Sequence, residues 1–98
     1  MKYKIILSSY ANRDIAILAD ILDPHPNKAR RLFKEMEQKL DLLEDNPFMC
    51  SEYPANPKYR RMNLEDHALF YTVNEVRYEI HIYRIFYAKR NISKLLGN

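Results

Sequence analysis

Ninety-eight residues, 47% of them hydrophobic and 30% charged, with one glycine in the whole chain, specify a single folded domain spanning 1–98 and exclude a disordered tract, a collagen-like repeat and a two-domain enzyme. A formal charge of +3 admits nucleic acid or an acidic protein as partner without demanding either. The lone cysteine, Cys50, leaves no internal disulfide, and the scattered His25, His67 and His81 make no zinc set, so the expectation is a reducing cytoplasm with neither metal nor other cofactor.

In chain order, Lys2 to Leu7 predicts a strand, because Tyr3, Ile5 and Leu7 alternate with their neighbours in a β-branched and aromatic setting. Its IIL run is far shorter than a secretory leader's apolar region or a membrane span. Ser8 and Ser9 offer a helix N-cap, and Ala11, Ile15, Leu18 and Leu22 then follow the spacing of an amphipathic helix that ends at Asp23. The segment DPHPN stops it, and Asn27 is the expected N-cap of a second helix with the stripe Ala29, Leu32, Phe33, Met36, Leu40 and Leu43. Asn46 to Pro57 holds three prolines and reads as a loop pinned by Phe48, Met49 and Tyr53. Tyr59 to Leu64, Ala68 to Val73 and Tyr78 to Tyr87 predict an antiparallel meander joined by the short turns EDH and NEVR. Asn91 is placed to cap a last turn carrying Ile92, Leu95 and Leu96. The order β-α-α-β-β-β, with a final short helix, calls for an α+β fold in which a helical hairpin covers one face of a small, mainly antiparallel sheet and leaves the other face open.

The familiar catalytic signatures are absent. There is no glycine-rich phosphate loop, no HExxH and no legible Ser-His-Asp set. A basic and aromatic constellation stands in their place: Arg60 and Arg61 lie on one strand, Arg84 and Tyr87 on another with Lys89 and Arg90 immediately after it, and a compact meander can bring these ends to the open sheet face or its rim. Cations hold phosphates, tyrosines stack on splayed bases, and arginines stabilise the charge that develops when a 2′-hydroxyl attacks its phosphate, so the group suits RNA without metal. His67, His81, Tyr87 and Glu52 are the candidates for proton transfer. Arg60 and Arg61, adjacent on one strand, must point to opposite faces, so one of them is expected to be a surface residue. Tyr59, Tyr71, Tyr78 and Tyr83 read as packing residues, the charges of the second helix as a solvated face, and Cys50 as incidental.

The run EDHALFYTV, followed by EIHIYRIFYAKRNISKLL, resembles the C-terminal half of the RelE/ParE superfamily of bacterial toxins, often labelled plasmid stabilisation proteins. The ANRD helix start, the NPFMCSEYP loop and the YRRM strand fall in the same order, so the resemblance covers nearly the whole chain. It implies a cytoplasmic toxin neutralised by a cognate antitoxin. The target implied is either messenger RNA cut on the ribosome, as in RelE-like and YoeB-like members, or DNA gyrase, as in ParE-like members. By resemblance, Arg60 falls on a lysine of the RelE-like enzymes and Arg90 on an essential arginine of their basic pair. Tyr87 falls on the tyrosine ending the last YoeB-like strand, and His67 on the histidine of their EEHRLVY segment. Ala68, Phe86 and Leu96 depart from that pattern, standing where nuclease members have an arginine, a histidine and a tyrosine. The expectation is a metal-independent, ribosome-dependent endoribonuclease with Arg90, Tyr87 and His67 catalytic and Arg60, Arg61, Arg84 and Lys89 binding RNA. The alternatives are a gyrase inhibitor without nuclease activity and a member that retains only antitoxin binding.

Overall fold

A computed structural model describes residues 2–96. The first strand, β1 (Lys4–Leu7), leads through Ser8 into helix α1 (Ser9–Leu22). The Ser8 hydroxyl accepts the Ala11 N–H at 3.0 Å, closing one of the orphan donors of the first turn. Helix α2 (Pro26–Asp45) begins one residue before the expected cap. Proline suits the first helical position because its missing N–H has no partner there in any case. The Asn27 side chain instead accepts from Arg30 Nη1 at 3.0 Å. After the long crossing come β2 (Arg60–Leu64), β3 (His67–Asn74) and β4 (Glu79–Tyr87), then a short α3 (Ile92–Leu95) capped by the Asn91 side chain.

The strand order is β1-β4-β3-β2. The last three strands form the expected meander, and β1 adds to β4 in parallel, from Lys4 opposite Glu79 to Leu7 opposite Ile82. Of the side chains expected to pin the crossing between α2 and β2, Tyr53 packs edge-on against Phe70 at 5.2 Å, and backbone bonds do more than the other two. Phe48 and Met49 are both over 40% exposed, at 47% and 43%, while Tyr53 N–H donates to Tyr59 O and Arg61 N–H to Ser51 O. Both hairpin turns contain a non-glycine residue with positive φ, Glu65 at 52° and Tyr78 at 55°; a Cβ there costs roughly 1–2 kcal/mol.

Two apolar cores sit on the two faces of the sheet. Leu18 and Leu22 of α1 and Leu32, Met36 and Leu43 of α2 pack on Met62, Leu64, Leu69, Tyr71, Ile80, Ile82 and Ile85. Each such aliphatic side chain contributes about 1.5–3 kcal/mol when fully buried. The opposite face is not open as expected. Tyr59, Ala68, Phe70 and Phe86 form a second core there, closed by Ile92 and Leu96 from the terminal turn. Alternation explains it: Ala68, Phe70 and Phe86 are apolar on that face as well, and a sheet apolar on both faces must cover both.

Candidate target-binding groove

Strand β1 stops opposite Ile82, so the outer edge of β4 has no strand partner from Tyr83 onward. Helix α1 takes that place. Ser8 donates its N–H to Ile82 O at 3.0 Å and its hydroxyl to Tyr83 O at 2.7 Å. Six residues on, the Asp14 carboxylate accepts the Ile85 N–H at 2.9 Å and Arg84 Nε and Nη2 at 2.8 and 3.1 Å. Asp14 thus satisfies a backbone group that would otherwise be an unpaired sheet edge. A register shift between Phe70 and Tyr71 leaves Tyr83 as the extra residue of a β-bulge, which turns Arg84 towards α1. The Arg84 guanidinium also lies 4.5 Å from the centre of the Phe86 ring and 5.9 Å from that of Tyr10.

Between α1 and the end of β4 runs a groove of about 220 Å³. Ile17, Leu18 and Ile21 of α1 form one wall; Arg84, Tyr87 and Arg90 form the other, with His67 at its base beside Phe86. Ile17 and Ile21 are 50% and 63% exposed, which for large aliphatic residues on a short helix is an unspent apolar surface. The His67 ring meets Tyr87 edge-on at 5.7 Å, and its Nδ1 lies 2.8 Å from Asp66 Oδ1. Asp66 Oδ2 in turn lies 3.3 Å from Lys28 Nζ at the start of α2. Burial pushes the Asp66 carboxyl up, but the hydrogen bonds from His67 and Lys28 outweigh it and hold the group below the ordinary aspartate value. The Arg90 N–H donates to Tyr87 O at 3.1 Å, turning the chain so that Arg90 reaches the rim.

The expected constellation is therefore divided. His67, Arg84, Tyr87 and Arg90 come together in one groove, and Lys89 is exposed in the turn that follows β4. Arg60 points to the helical side, donating to Cys50 O at 2.6 Å and covering the Phe48 ring at 4.9 Å. Arg61 lies on the opposite face in the same cross-strand row as Phe70 and Arg84, bonded to Asn63 Oδ1 at 3.0 Å, in a separate hollow with Lys39 and Glu52. His81, bonded to Glu79 at 3.0 Å, lies six residues back along β4 from Tyr87, about 20 Å by strand rise. Neither Glu52 nor His81 lines the groove. Tyr71 is fully buried and donates to Pro47 O at 3.1 Å; burial, with the neighbouring Cys50 thiol, pushes its hydroxyl well above the usual tyrosine range. It is a packing residue, as are Tyr59 and Tyr83, whose rings stack at 5.0 Å. Among the described residues, no group of His, Cys, Asp or Glu is arranged to hold a metal ion, and no helix is long and apolar enough to cross a membrane.

Two features of the groove were not anticipated. Nothing local connects Asp14 to Arg84, which lies 70 residues away. The stripe Tyr10, Ile17 and Ile21, at spacings of seven and four, does carry a signal: it is a second apolar line on α1 that the core-facing line leaves over.

Residues 5–92 match the family described as the ParE toxin of the type II toxin-antitoxin system parDE. A comparison with curated proteins gave no match. Among solved structures, the chain is similar to one from a chromosomal ParDE toxin-antitoxin system of P. aeruginosa, with a TM-score of 0.71 and 19% identity over 90% of this chain and 98% of that one. It is also similar to a chain of the toxin-antitoxin complex RelBE2 of Mycobacterium tuberculosis, with a TM-score of 0.62 and 16% identity over 89% of this chain and 99% of that one.

Proposed function

Because the chain belongs to the ParE toxin family of type II toxin-antitoxin systems, we propose that it poisons its cell by occupying a surface of a protein target, with DNA gyrase, the alternative to the nuclease expectation in the sequence, as that target, and that a cognate antitoxin neutralises it. One observation carries this reading: the sheet face expected to lie open for RNA is filled by Phe70, Phe86, Ile92 and Leu96. Ala68 and Phe86, standing where nuclease members have an arginine and a histidine, are 0% and 2% exposed within that core. The groove that is left has an aliphatic wall, and its Arg84 is already neutralised by Asp14. Half-exposed aliphatic side chains beside a tyrosine and an arginine make the anchor chemistry of a protein interface.

The nuclease reading keeps one observation in its favour, the convergence of His67, Tyr87 and Arg90. There His67 would take the 2′-hydroxyl proton, Tyr87 would protonate the leaving 5′-oxygen, and Arg90 would meet the charge on the phosphate. The two readings separate on expression without antitoxin, followed by mapping both messenger RNA ends on translating ribosomes and gyrase-linked DNA breaks. Breaks without codon-phased RNA ends are expected. Codon-phased ends that disappear in His67→Ala would overturn the protein-target reading.

A further inference from the structure

The sheet face away from the helical hairpin is the basic side of the molecule. Its core, Tyr59, Ala68, Phe70 and Phe86 under Ile92 and Leu96, is overlaid by cations. The Arg61 guanidinium lies 6.0 Å from the centre of the Phe70 ring and Lys58 Nζ 5.5 Å from that of Tyr59. Ile92 and Leu96 are one turn apart and buried, so Lys94, midway between them, points outward and is exposed. Lys89 and Arg90, both exposed, stand in the turn between β4 and α3, where this face meets the groove. We infer that this face holds the phosphate backbone of duplex DNA, so that the toxin docks on a protein–DNA complex with its groove on the protein and Lys58, Arg61 and Lys94 on the duplex. The choice of DNA rests on the proposed gyrase target; the phosphate-binding face does not.

Three observations select a duplex. First, the charge is one-sided and unpaired. No acidic side chain follows Glu79, while Arg84, Lys89, Arg90 and Lys94 do, and Glu52, in the hollow beside Arg61, is the single acid between Asn46 and Leu64. Carboxylates gather instead on α2, with Glu37, Asp41, Glu44 and Asp45 in its second half, over the opposite face of the sheet. Among the described residues no ion pair reaches Lys58, Arg61, Lys89, Arg90 or Lys94, whereas Lys28, Arg31, Lys39 and Arg84 are all paired. A net charge of only +3 therefore conceals a field of one sign over one face. Arg61 is also held in direction, since its Nε donates to Asn63 Oδ1 at 3.0 Å and its planar fork turns as a unit.

Second, the rings on this face are closed. Single strands are held by aromatic side chains on which bases stack. Tyr59, Phe70 and Phe86 are 7%, 0% and 2% exposed, so the face offers cations over buried rings and no platform for a splayed base. Contact with the backbone is what remains, and a duplex presents the denser row of phosphates.

Third, a protein partner would need apolar anchors here. None of the large hydrophobic side chains that are exposed belongs to this core, and the half-exposed pair Ile17 and Ile21 lies in the groove. The two surfaces suit different chemistries and share a border at Arg90.

The test titrates the full chain into a labelled DNA duplex of about 20 base pairs and follows anisotropy between about 20 and 200 mM salt. Binding is expected to weaken with salt along a log–log slope of about −4. Lys58→Gln, Arg61→Gln and Lys94→Gln together should shallow that slope by about 2–3 and lower affinity at low salt by about tenfold or more, a loss spread over the contacts so that Lys94 alone contributes little. Lys2→Gln, Lys4→Gln and Lys34→Gln together give the same net charge and should change neither value appreciably. Thermal midpoints report that both variants fold. Amide shifts of the unsubstituted chain on adding duplex, expected around Lys58, Arg61, Lys89 and Lys94, test the face without any variant. Equal losses in the two triple variants, shifts centred on α2, tighter binding to a single strand or to duplex RNA of the same length, or no binding at low salt would each overturn the inference. No protein target is present in this measurement, so its outcome is separate from that of the gyrase reading, which is read by DNA breaks in cells.

Discussion

Asp14 shows how much one side chain does here. Its carboxylate, 11% exposed, takes two donors from Arg84 and one from the β4 backbone. Asp14→Ala would leave a partly buried guanidinium and a bare edge N–H, and is expected to cost about 2–4 kcal/mol in urea unfolding. Arg84→Lys should recover little of an Arg84→Ala loss, because an ammonium cannot span both carboxylate oxygens. If Arg84→Ala left stability unchanged but abolished toxicity, Arg84 would be a target-binding residue after all. Asp66 supplies a pH dependence. Its folded pKa is depressed, so its contribution is present above the ordinary aspartate value of 3.8 and is lost as pH falls below that through the folded value. The acid limb of the stability profile should therefore flatten in Asp66→Asn, as read by thermal midpoints between about pH 5 and 2.

At the scale of elements, the strands and helices were legible because each follows a single period, and the errors lie where a second influence entered. Asn27 has the right chemistry for a cap, but Pro26 precedes it and already satisfies the first helical position. Phe48 and Met49 have the composition of anchors, yet the crossing is held by Tyr53, Arg60 and backbone bonds. The open sheet face was a consequence of counting one helical layer; the second layer comes from the loop and from only four residues of α3. The tight turns show a different cost. Glu65 holds φ at 52° with a Cβ and makes only a 3.7 Å ion pair with Arg31 across an exposed surface. Such a pair is worth little, so Glu65→Gly should raise stability by about 0.5–1 kcal/mol, and Glu65→Ala should not. A chemical denaturation series of the two variants checks it.

At the scale of the molecule, the two proposed targets make different demands on the same groove, and substitution can tell them apart. His67, Tyr87 and Arg90 were brought together by the family resemblance, since residue type alone left His81 and Glu52 as equal candidates. The aliphatic wall went unread although the core stripe with Leu18 and Leu22 already left Ile17 and Ile21 over as a second apolar line, because that line gains a meaning only when β4 is seen to stand beside it. A protein target needs that wall dry and apolar; an RNA target needs the imidazole and phenol. Ile17→Ser with Ile21→Lys removes exposed side chains, so it should leave the unfolding midpoint nearly unchanged while abolishing growth arrest. His67→Ala should reduce growth arrest only slightly, since it deepens the groove without touching Ile17, Ile21 or Arg90. Arg90→Ala, at the rim, should relieve toxicity far more than Lys94→Ala, which lies beyond the groove on α3. Growth curves at matched protein levels give all four values. Loss of toxicity in His67→Ala together with full toxicity in the Ile17, Ile21 variant would transfer the mechanism from surface occupation to acid-base chemistry. An aliphatic wall contributes through desolvated contact area, whereas proton transfer depends on a single imidazole.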